Sequence, residues 1–443
     1  MVLICTNSAN RRRRARSLKR VYYVVLDGLG DLPSAELEGK TPLEAAEIPE
    51  MDSLAEAGQM GLVYTVRKGV APESDVAVIS ILGYDPFKYY TGRGPIEAVG
   101  SDLFIKEGDL ALRCNFATLG EEGRIVDRRA GRNLTTSEAS KLCQAVNSEV
   151  KLTSSPAEFD FKNTVGHRAA LVIRSRVGKL SGQISNTDPA YTRVEGLGVA
   201  KKDVKMLLQE SRPLLNRVEA ERAAQLVNEF VQKSSSVLDG HEVNIERRRR
   251  GFLAANLVLT RDAGDSLPRM PSLNSLYGGT FGSLVEMPVE RGIALLCGMR
   301  EVKMPEPTGN LKHDYTVRAQ IAAEAMASGI DVLYIHIKGP DEPGHDGKPD
   351  KKRKIIEMID RYFFSTLLPN VDLSEDLVAV TADHSTPCSL RAHSDDPVPL
   401  LIAGPNLKAD GLKHFSEKAC RKGSLGTMNG PELMPKLMRL ARD

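Results

Sequence analysis

Seven residues of this chain have side chains suited to metal chemistry, and they fall near its two ends. Asp27 lies in V-V-L-D-G-L-G, Asp341 and His345 stand four apart in D-E-P-G-H, Asp383 and His384 adjoin in T-A-D-H-S, and His393 lies in R-A-H-S. Ser74 sits between them, in P-E-S-D-V-A. Mixtures of carboxylate and imidazole suit Zn²⁺, Mn²⁺ or related ions better than Ca²⁺. Two such ions ~3.5–4 Å apart clamp the attacking and leaving oxygens of a displacement at phosphorus. A serine hydroxyl bound to one of them loses its proton more easily, as metal-bound water does, and becomes a nucleophile. Each motif alone has a plainer reading. Asp-Gly after a strand is common turn chemistry. Ser74-Asp75 can cap a helix starting near Val76, with Ser as N-cap, a place that also favours phosphate. A lone D-x-x-x-H is a weak signal. His336 reads as core, His241, His313 and His414 as solvated, and His167 beside Arg168 as either. The joint pattern is what chance explains poorly.

Ligands so far apart in sequence meet only through the fold. Val21–Leu26 is a short β-branched and aromatic run, read as a buried strand that ends at Asp27. Ile330–Ile337 ends just before Asp341, Leu377–Thr381 just before Asp383, and Val398–Ala403 is a further strand. Helical stretches, Val317–Ala327 and Asp350 to about Leu368, lie between. This alternation predicts a parallel α/β sheet sandwiched by helices, with the acids beyond the C-terminal ends of its strands, where such sheets place active sites. Residues 100–275 read differently, with strand-like runs Leu110–Phe116, Ala169–Ile173 and Leu253–Leu259 and helices Ser137–Val146 and Ala220–Lys233. They are expected to form a second α/β domain inserted into a discontinuous first one, 21–99 and 276–443. Arg247–Arg250 reads as a solvated charge run or as one lining a phosphate site.

The 443 residues, 41% hydrophobic and 27% charged, are ordinary for a soluble chain of two domains. A net charge of +2 gives no global reason to expect nucleic-acid or membrane partners. No apolar run approaches the ~20 residues of a membrane helix. Six scattered cysteines without C-x-x-C pairing read as the reduced thiols of a cytoplasmic protein. Residues 1–20 contain no acid and carry Arg11, Arg12, Arg13, Arg14, Arg16, Lys19 and Arg20. This stretch is expected to be a disordered basic arm, although its composition also resembles an organelle transit peptide or a phosphate-touching arm.

In this order the motifs resemble the alkaline-phosphatase superfamily, and more closely its archaeal-type cofactor-independent phosphoglycerate mutases. The stretches that carry the resemblance include V-V-L-D-G-L-G-D-L-P, S-D-V-A-V-I-S-I-L-G-Y-D-P, Y-Y-T-G-R-G-P-I-E-A-V-G, R-I-V-D-R-R-A-G-R, A-N-L-V-L-T-R-D-A-G, H-I-K-G-P-D-E-P-G-H-D-G and T-A-D-H-S-T-P. The resemblance implies an alkaline-phosphatase-like fold. It implies two divalent ions (Mn, Mg, Zn or Co), no 2,3-bisphosphoglycerate, and a phosphoglycerate substrate. Ser74 would be the nucleophile. Asp27, Ser74, Asp383 and His384 would hold one ion, and Asp341, His345 and His393 the other. The inserted domain would hold glycerate. Its candidates are Arg128, Arg132, Arg168 and Arg261 for phosphate and carboxylate, Asp127 or Asp188 for hydroxyls, and Lys338 for added charge.

Four positions depart from the expected pattern. Glu73 and Asp262 stand where Gly is expected, and Asn186–Ala190 reads N-T-D-P-A instead of D-T-D-P-H. An acid facing the phosphate would repel it. Two other readings stay open: a different phosphomonoesterase or phosphosugar mutase of the superfamily, and a metal-stabilised binding protein without catalysis.

Overall fold

The computed structural model describes residues 18–194, 197–201 and 204–442. Arg11 to Arg16 of the basic arm lie outside them. Of the arm's last residues, Lys19 donates its amide to Ala441 O at 3.0 Å, and Arg20 makes a two-pronged pair with Asp376 at 2.7 and 2.8 Å.

Val21–Leu26 is buried throughout and lies between two parallel neighbours, Val332–Ile337 and Leu377–Thr381. A strand covered on both faces favours a continuous apolar run over alternation, which is why its sequence reads V-Y-Y-V-V-L. It belongs to an eight-stranded sheet. In space the order is Arg300–Glu301, Phe281–Leu284, Val332–Ile337, Val21–Leu26, Leu377–Thr381, Val398–Ala403, Gly58–Tyr64, Gly426–Asn429. Most pairs are parallel. Val398–Ala403 is antiparallel to both neighbours, an exception that the strand–helix alternation does not reveal.

A second, five-stranded sheet is built from Leu110–Leu119, Ile125–Asp127, Ala157–Asn163, Arg168–Ser175 and Leu257–Gly264. Helices Thr136–Glu149 and Val218–Asp239 contribute to its own apolar core, where Phe116, Phe161 and Phe230 meet edge to face. The large sheet has a separate core, from Val21 to Ala441. Helix Arg93–Gly100, between the two sheets in sequence, packs on helix Pro288–Leu296. A Cβ at Gly100 would come 1.7 Å from Pro288 O, and one at Gly292 2.0 Å from Ile96 O, so these glycines permit the close crossing.

Three sequence expectations shift. The strand expected at Leu253–Leu259 runs from Leu257 to Gly264. The helix expected from Asp350 to about Leu368 is α-helical from Pro349 to Ile359 and then widens into a π-turn at Asp360–Phe364. Of the Arg247–Arg250 run, Arg248, Arg249 and Arg250 are exposed as a solvated face would be, but Arg247 is fully buried. Its guanidinium bonds Leu253 O, Ala130 O, Asn133 and Glu138. The run's spacing looks like a solvated face because nothing local marks those distant partners.

Behind the strand ends Lys352 is buried, with Nζ 2.8 Å from Asp31 Oδ2 and 3.0 Å from both Gly30 O and Thr386 O. Removing one partner of a buried pair leaves the other charge uncompensated. Lys352→Met should therefore cost about 3–5 kcal/mol in chemical denaturation; a cost under about 1 kcal/mol would mean that this tie does not hold the loops.

Candidate active site

Asp27, Asp341 and Asp383 follow three adjacent parallel strands, so one edge of the sheet gathers three segments distant in sequence. The chain turns at Gly28, where φ is +63° and a Cβ would lie 2.8 Å from Asp341 Cα. Gly28 N–H donates to Asp383 Oδ1 at 3.1 Å, as does His384 N–H. That occupies one oxygen of Asp383 and turns Oδ2 inward.

Ser74 is the first residue of helix Ser74–Ile81, and Glu73 takes the N-cap position without a side-chain cap bond. The expected capping role of Ser74 is thus corrected. Its Oγ points outward, 3.2 Å from His384 Nε2. The same nitrogen lies 3.4 Å from Asp27 Oδ1 and 3.3 Å from Asp383 Oδ2. Asp27, Ser74, Asp383 and His384 therefore converge. So do Asp341, His345 and His393: His345 Nε2 and His393 Nε2 are 3.3 Å apart, and each is 3.5 Å from Asp341 Oδ1. His384 adjoins both groups, stacked on His393 with centroids 3.7 Å apart and within ligating reach of Asp341.

The donor set fits divalent cations. His345 Nδ1 faces Arg391 O at 3.1 Å, His393 Nδ1 faces Pro72 O at 2.8 Å, and His384 Nδ1 faces Thr386 Oγ1 at 3.0 Å. A carbonyl only accepts, so in His345 and His393 Nδ1 carries a proton and Nε2 is the atom turned to the centre. Burial opposes the charge of His393, but Asp341 and Glu73 raise its pKa to about 10, so a cation must displace its Nε2 proton to bind. Thr386 hands its own proton to Asp341 at 2.7 Å, which leaves it an acceptor for His384 Nδ1–H. Asp27 Oδ1 and Asp383 Oδ2 are buried without a hydrogen-bond partner, a costly state that a cation relieves.

Lys338 lies 3.2 Å from Asp27 Oδ2 and 2.7 Å from Glu290 Oε1. Burial opposes its charge, but Asp27 and Glu290 raise its pKa. In return, although burial opposes the charge of Asp27, Lys338, His336 and His384 together hold its carboxyl well below the usual carboxylate range.

Beside Ser74 is a pocket of about 50 Å³ lined by Glu73, Tyr90, Arg93, Arg113, Tyr191 and Asp262. Glu97 anchors both of its arginines, with Arg93 Nε at 2.7 Å and Arg113 Nε at 3.3 Å. Burial, Arg261 and Arg93 push the Arg113 guanidinium down to about 10, a crowding of positive charge that a bound anion would relieve. Arg261 and Arg128 both lie over the Tyr191 ring, at 4.1 and 4.9 Å. A cleft of about 650 Å³, lined in part by Lys88, Lys179, Arg217 and Arg269, contains none of the expected site residues.

The remaining candidates divide. Asp188 is buried and holds Arg128 at 2.5 and 2.8 Å and Arg261 at 3.3 Å. Asp127 Oδ1 accepts from the amides of Arg129 and Gly131, at 2.6 and 3.1 Å, which fixes a turn. Arg132 is exposed on that turn at φ +55°. Arg168 reaches Met287 Sδ at 3.9 Å. His167 is half-buried, and burial with Arg168, Arg129 and Arg113 pushes it down to about 3, so it is neutral at pH 7. His414, expected to be solvated, is paired with Asp52 at 2.9 Å.

A family model described as 2,3-bisphosphoglycerate-independent phosphoglycerate mutase matches residues 55–244. The protein of that name from Aeropyrum pernix is 43% identical over 428 residues, 95% of this chain and 99% of its own. The one from Methanopyrus kandleri is 39% identical over 96% of both chains. The chain belongs to this family. A solved structure of a Pyrococcus horikoshii protein superposes with TM-score 0.77 at 31% identity, covering 96% of this chain and 98% of that one. The cofactor-independent phosphoglycerate mutase of Thermoplasma acidophilum gives 0.62 at 31%, covering 96% and 100%.

The departures from the family pattern cluster in space. Asp262 has φ +55°, left-handed backbone that favours glycine, which accounts for the expectation of Gly there. Its amide donates to Asn186 Oδ1 at 3.2 Å, so two departures touch. Asp262 and Glu73 both line the pocket, 3.6 Å from Arg261 and 3.8 Å from Arg93. Sequence reasoning missed Arg93, Glu97, Arg113, Tyr191, Glu290 and the placement of His336. The signal for Arg93 and Glu97 was present in Y-Y-T-G-R-G-P-I-E-A-V-G, a stretch that carried the resemblance but received no role.

Proposed function

We infer that this chain interconverts 3-phosphoglycerate and 2-phosphoglycerate through a phosphoserine at Ser74, with two divalent ions and without 2,3-bisphosphoglycerate. The observation that carries this reading is Ser74 Oγ standing 3.2 Å from His384 Nε2, with buried, unpartnered acids on one side and an arginine-lined pocket on the other. Asp27, Ser74, Asp383 and His384 would hold one ion, and Asp341, His345 and His393 the other. When bound, the ions supply charge that stabilises the serine alkoxide and neutralises the transferring phosphoryl group. Arg93, Arg113 and Arg261 orient the substrate anions by two-pronged hydrogen bonds. Ser74 Oγ forms its bond to phosphorus as the bond to the 3-oxygen breaks, and glycerate stays in the pocket. Its 2-hydroxyl then attacks the phosphoserine and Ser74 Oγ is freed. The proton that Ser74 gives up in the first step returns in the second, and the one that the 3-oxygen gains is matched by the one that the 2-hydroxyl loses. Residues 100–275, read as the inserted substrate domain, would close over the centre and exclude water, without which the phosphoserine would hydrolyse.

The test is incubation of metal-loaded protein with 3-phosphoglycerate, followed by phosphorus NMR. The expected result is 2-phosphoglycerate with little free phosphate. Free phosphate alone would replace this reading by a phosphomonoesterase. The two extra acids set the expected substrate affinity. Asp262→Gly removes a carboxylate from the pocket where the backbone already suits glycine, so KM should fall a few-fold, up to about tenfold, by loss of like-charge repulsion. An unchanged or raised KM would mean that Asp262 does not oppose the substrate.

A further inference from the structure

The geometry points to His336 Nε2 as a further protein ligand of the ion held by Asp27 and Asp383. This rests on the reading of that group as a metal site. His336 lies in strand Val332–Ile337 and is 1% exposed, so its sequence setting is that of core. Its Nε2 nevertheless has no hydrogen-bond partner, and neither do Asp27 Oδ1 and Asp383 Oδ2, the oxygens it faces. The separations are 3.9 and 3.7 Å. They are too long for hydrogen bonds, which span ~2.7–3.2 Å. They match two donor atoms on one ion: ligands ~2.1 Å from a shared metal at ~100–135° lie ~3.2–3.9 Å apart. His384 Nε2 faces the same two oxygens at 3.4 and 3.3 Å. Two imidazoles thus aim at the same pair of unpartnered oxygens, from strand and loop.

The other ring nitrogen is also placed for this. His336 Nδ1 is 3.0 Å from Tyr334 Oη, and the rings meet edge to face at 6.0 Å. With the proton on Nδ1 and donated to the phenol oxygen, Nε2 presents its lone pair to the ion, as outer-shell partners do for metal-bound histidines. The opposite tautomer would make His336 a proton donor to the acids and no ligand, and the measurement separates the two.

In a His345→Ala background, which weakens the second group, Mn²⁺ is loaded into the full-length chain and pulsed EPR counts directly coordinated imidazole nitrogens. Two are expected, from His384 and His336, and one after His336→Ala. Added imidazole should restore the second coupling and a metal affinity that His336→Ala lowers by more than about tenfold. A count of one with His336 in place overturns the proposal, as does failure of the Asp27 group to take up an ion. The count in the protein that retains His336 decides the matter even if His336→Ala does not fold. Because it needs no turnover, it can succeed where the mutase assay fails, and the reverse.

Discussion

Ser74→Ala is expected to lower turnover by a factor on the order of 10⁴ or more, the scale seen when a covalent nucleophile is removed, while leaving the thermal unfolding transition nearly unchanged. Among the described residues the side chain makes one polar contact, to His384 Nε2, and N-cap duty falls to Glu73, so its loss removes chemistry and little structure. The companion measurement is trapping. Substrate carrying labelled phosphate should leave label on the wild-type chain after acid quench, and none on Ser74→Ala. Retention of full activity by the variant would sink the phosphoserine mechanism outright. Loss of activity with labelling still present would move the nucleophile elsewhere.

The candidate metal-ligating set was legible because its chemistry is written locally. Asp27, Asp341 and Asp383 each follow an apolar run that reads as a strand, and parallel strands bring their C-terminal ends to one edge whatever the distance along the chain. The arginine-lined pocket was not legible in this way. Arg113 sits in L-A-L-R-C-N-F, where a single charge looks like the solvent side of a strand; its burial beside Glu97 depends on a helix packed across it. Arg128, Arg261 and Asp188 were candidates only through the resemblance, since with Tyr191 they come from three segments with no shared spacing. The burial of Arg247 escapes the sequence for the same reason. His336 shows the limit from the other side. Strand position predicted burial correctly, but burial does not say what a ring nitrogen faces. Glycine-favouring backbone at 262 is the case where a resemblance saw further than composition, since the expected Gly corresponds to a left-handed φ that the structure contains.

Chelation should have the second of the two largest effects, and it separates a metal enzyme from a scaffold that merely collects acids. Without a cation the centre brings Asp27 Oδ1, Asp383 Oδ2 and His336 Nε2 together unpartnered, and two facing imidazole nitrogens stand 3.3 Å apart. Burying such groups is tolerable only when an opposite charge compensates them. Stripping the protein with a chelator should therefore abolish turnover. It should also lower stability by about 2.7 kcal/mol for each ion previously present at 100 times its Kd. Both losses should reverse on adding divalent metal, with stability rising continuously as metal concentration rises. Uptake should release protons, because any imidazole protonated in the stripped state must give up its Nε2 proton to bind. Elemental analysis gives the stoichiometry, and a panel of Mn²⁺, Mg²⁺, Zn²⁺ and Co²⁺ gives the preference. If the stripped protein turns over at the original rate, catalysis does not run through these residues. If stability returns with metal but turnover does not, the centre is structural and the arginine pocket alone cannot make the chain an enzyme.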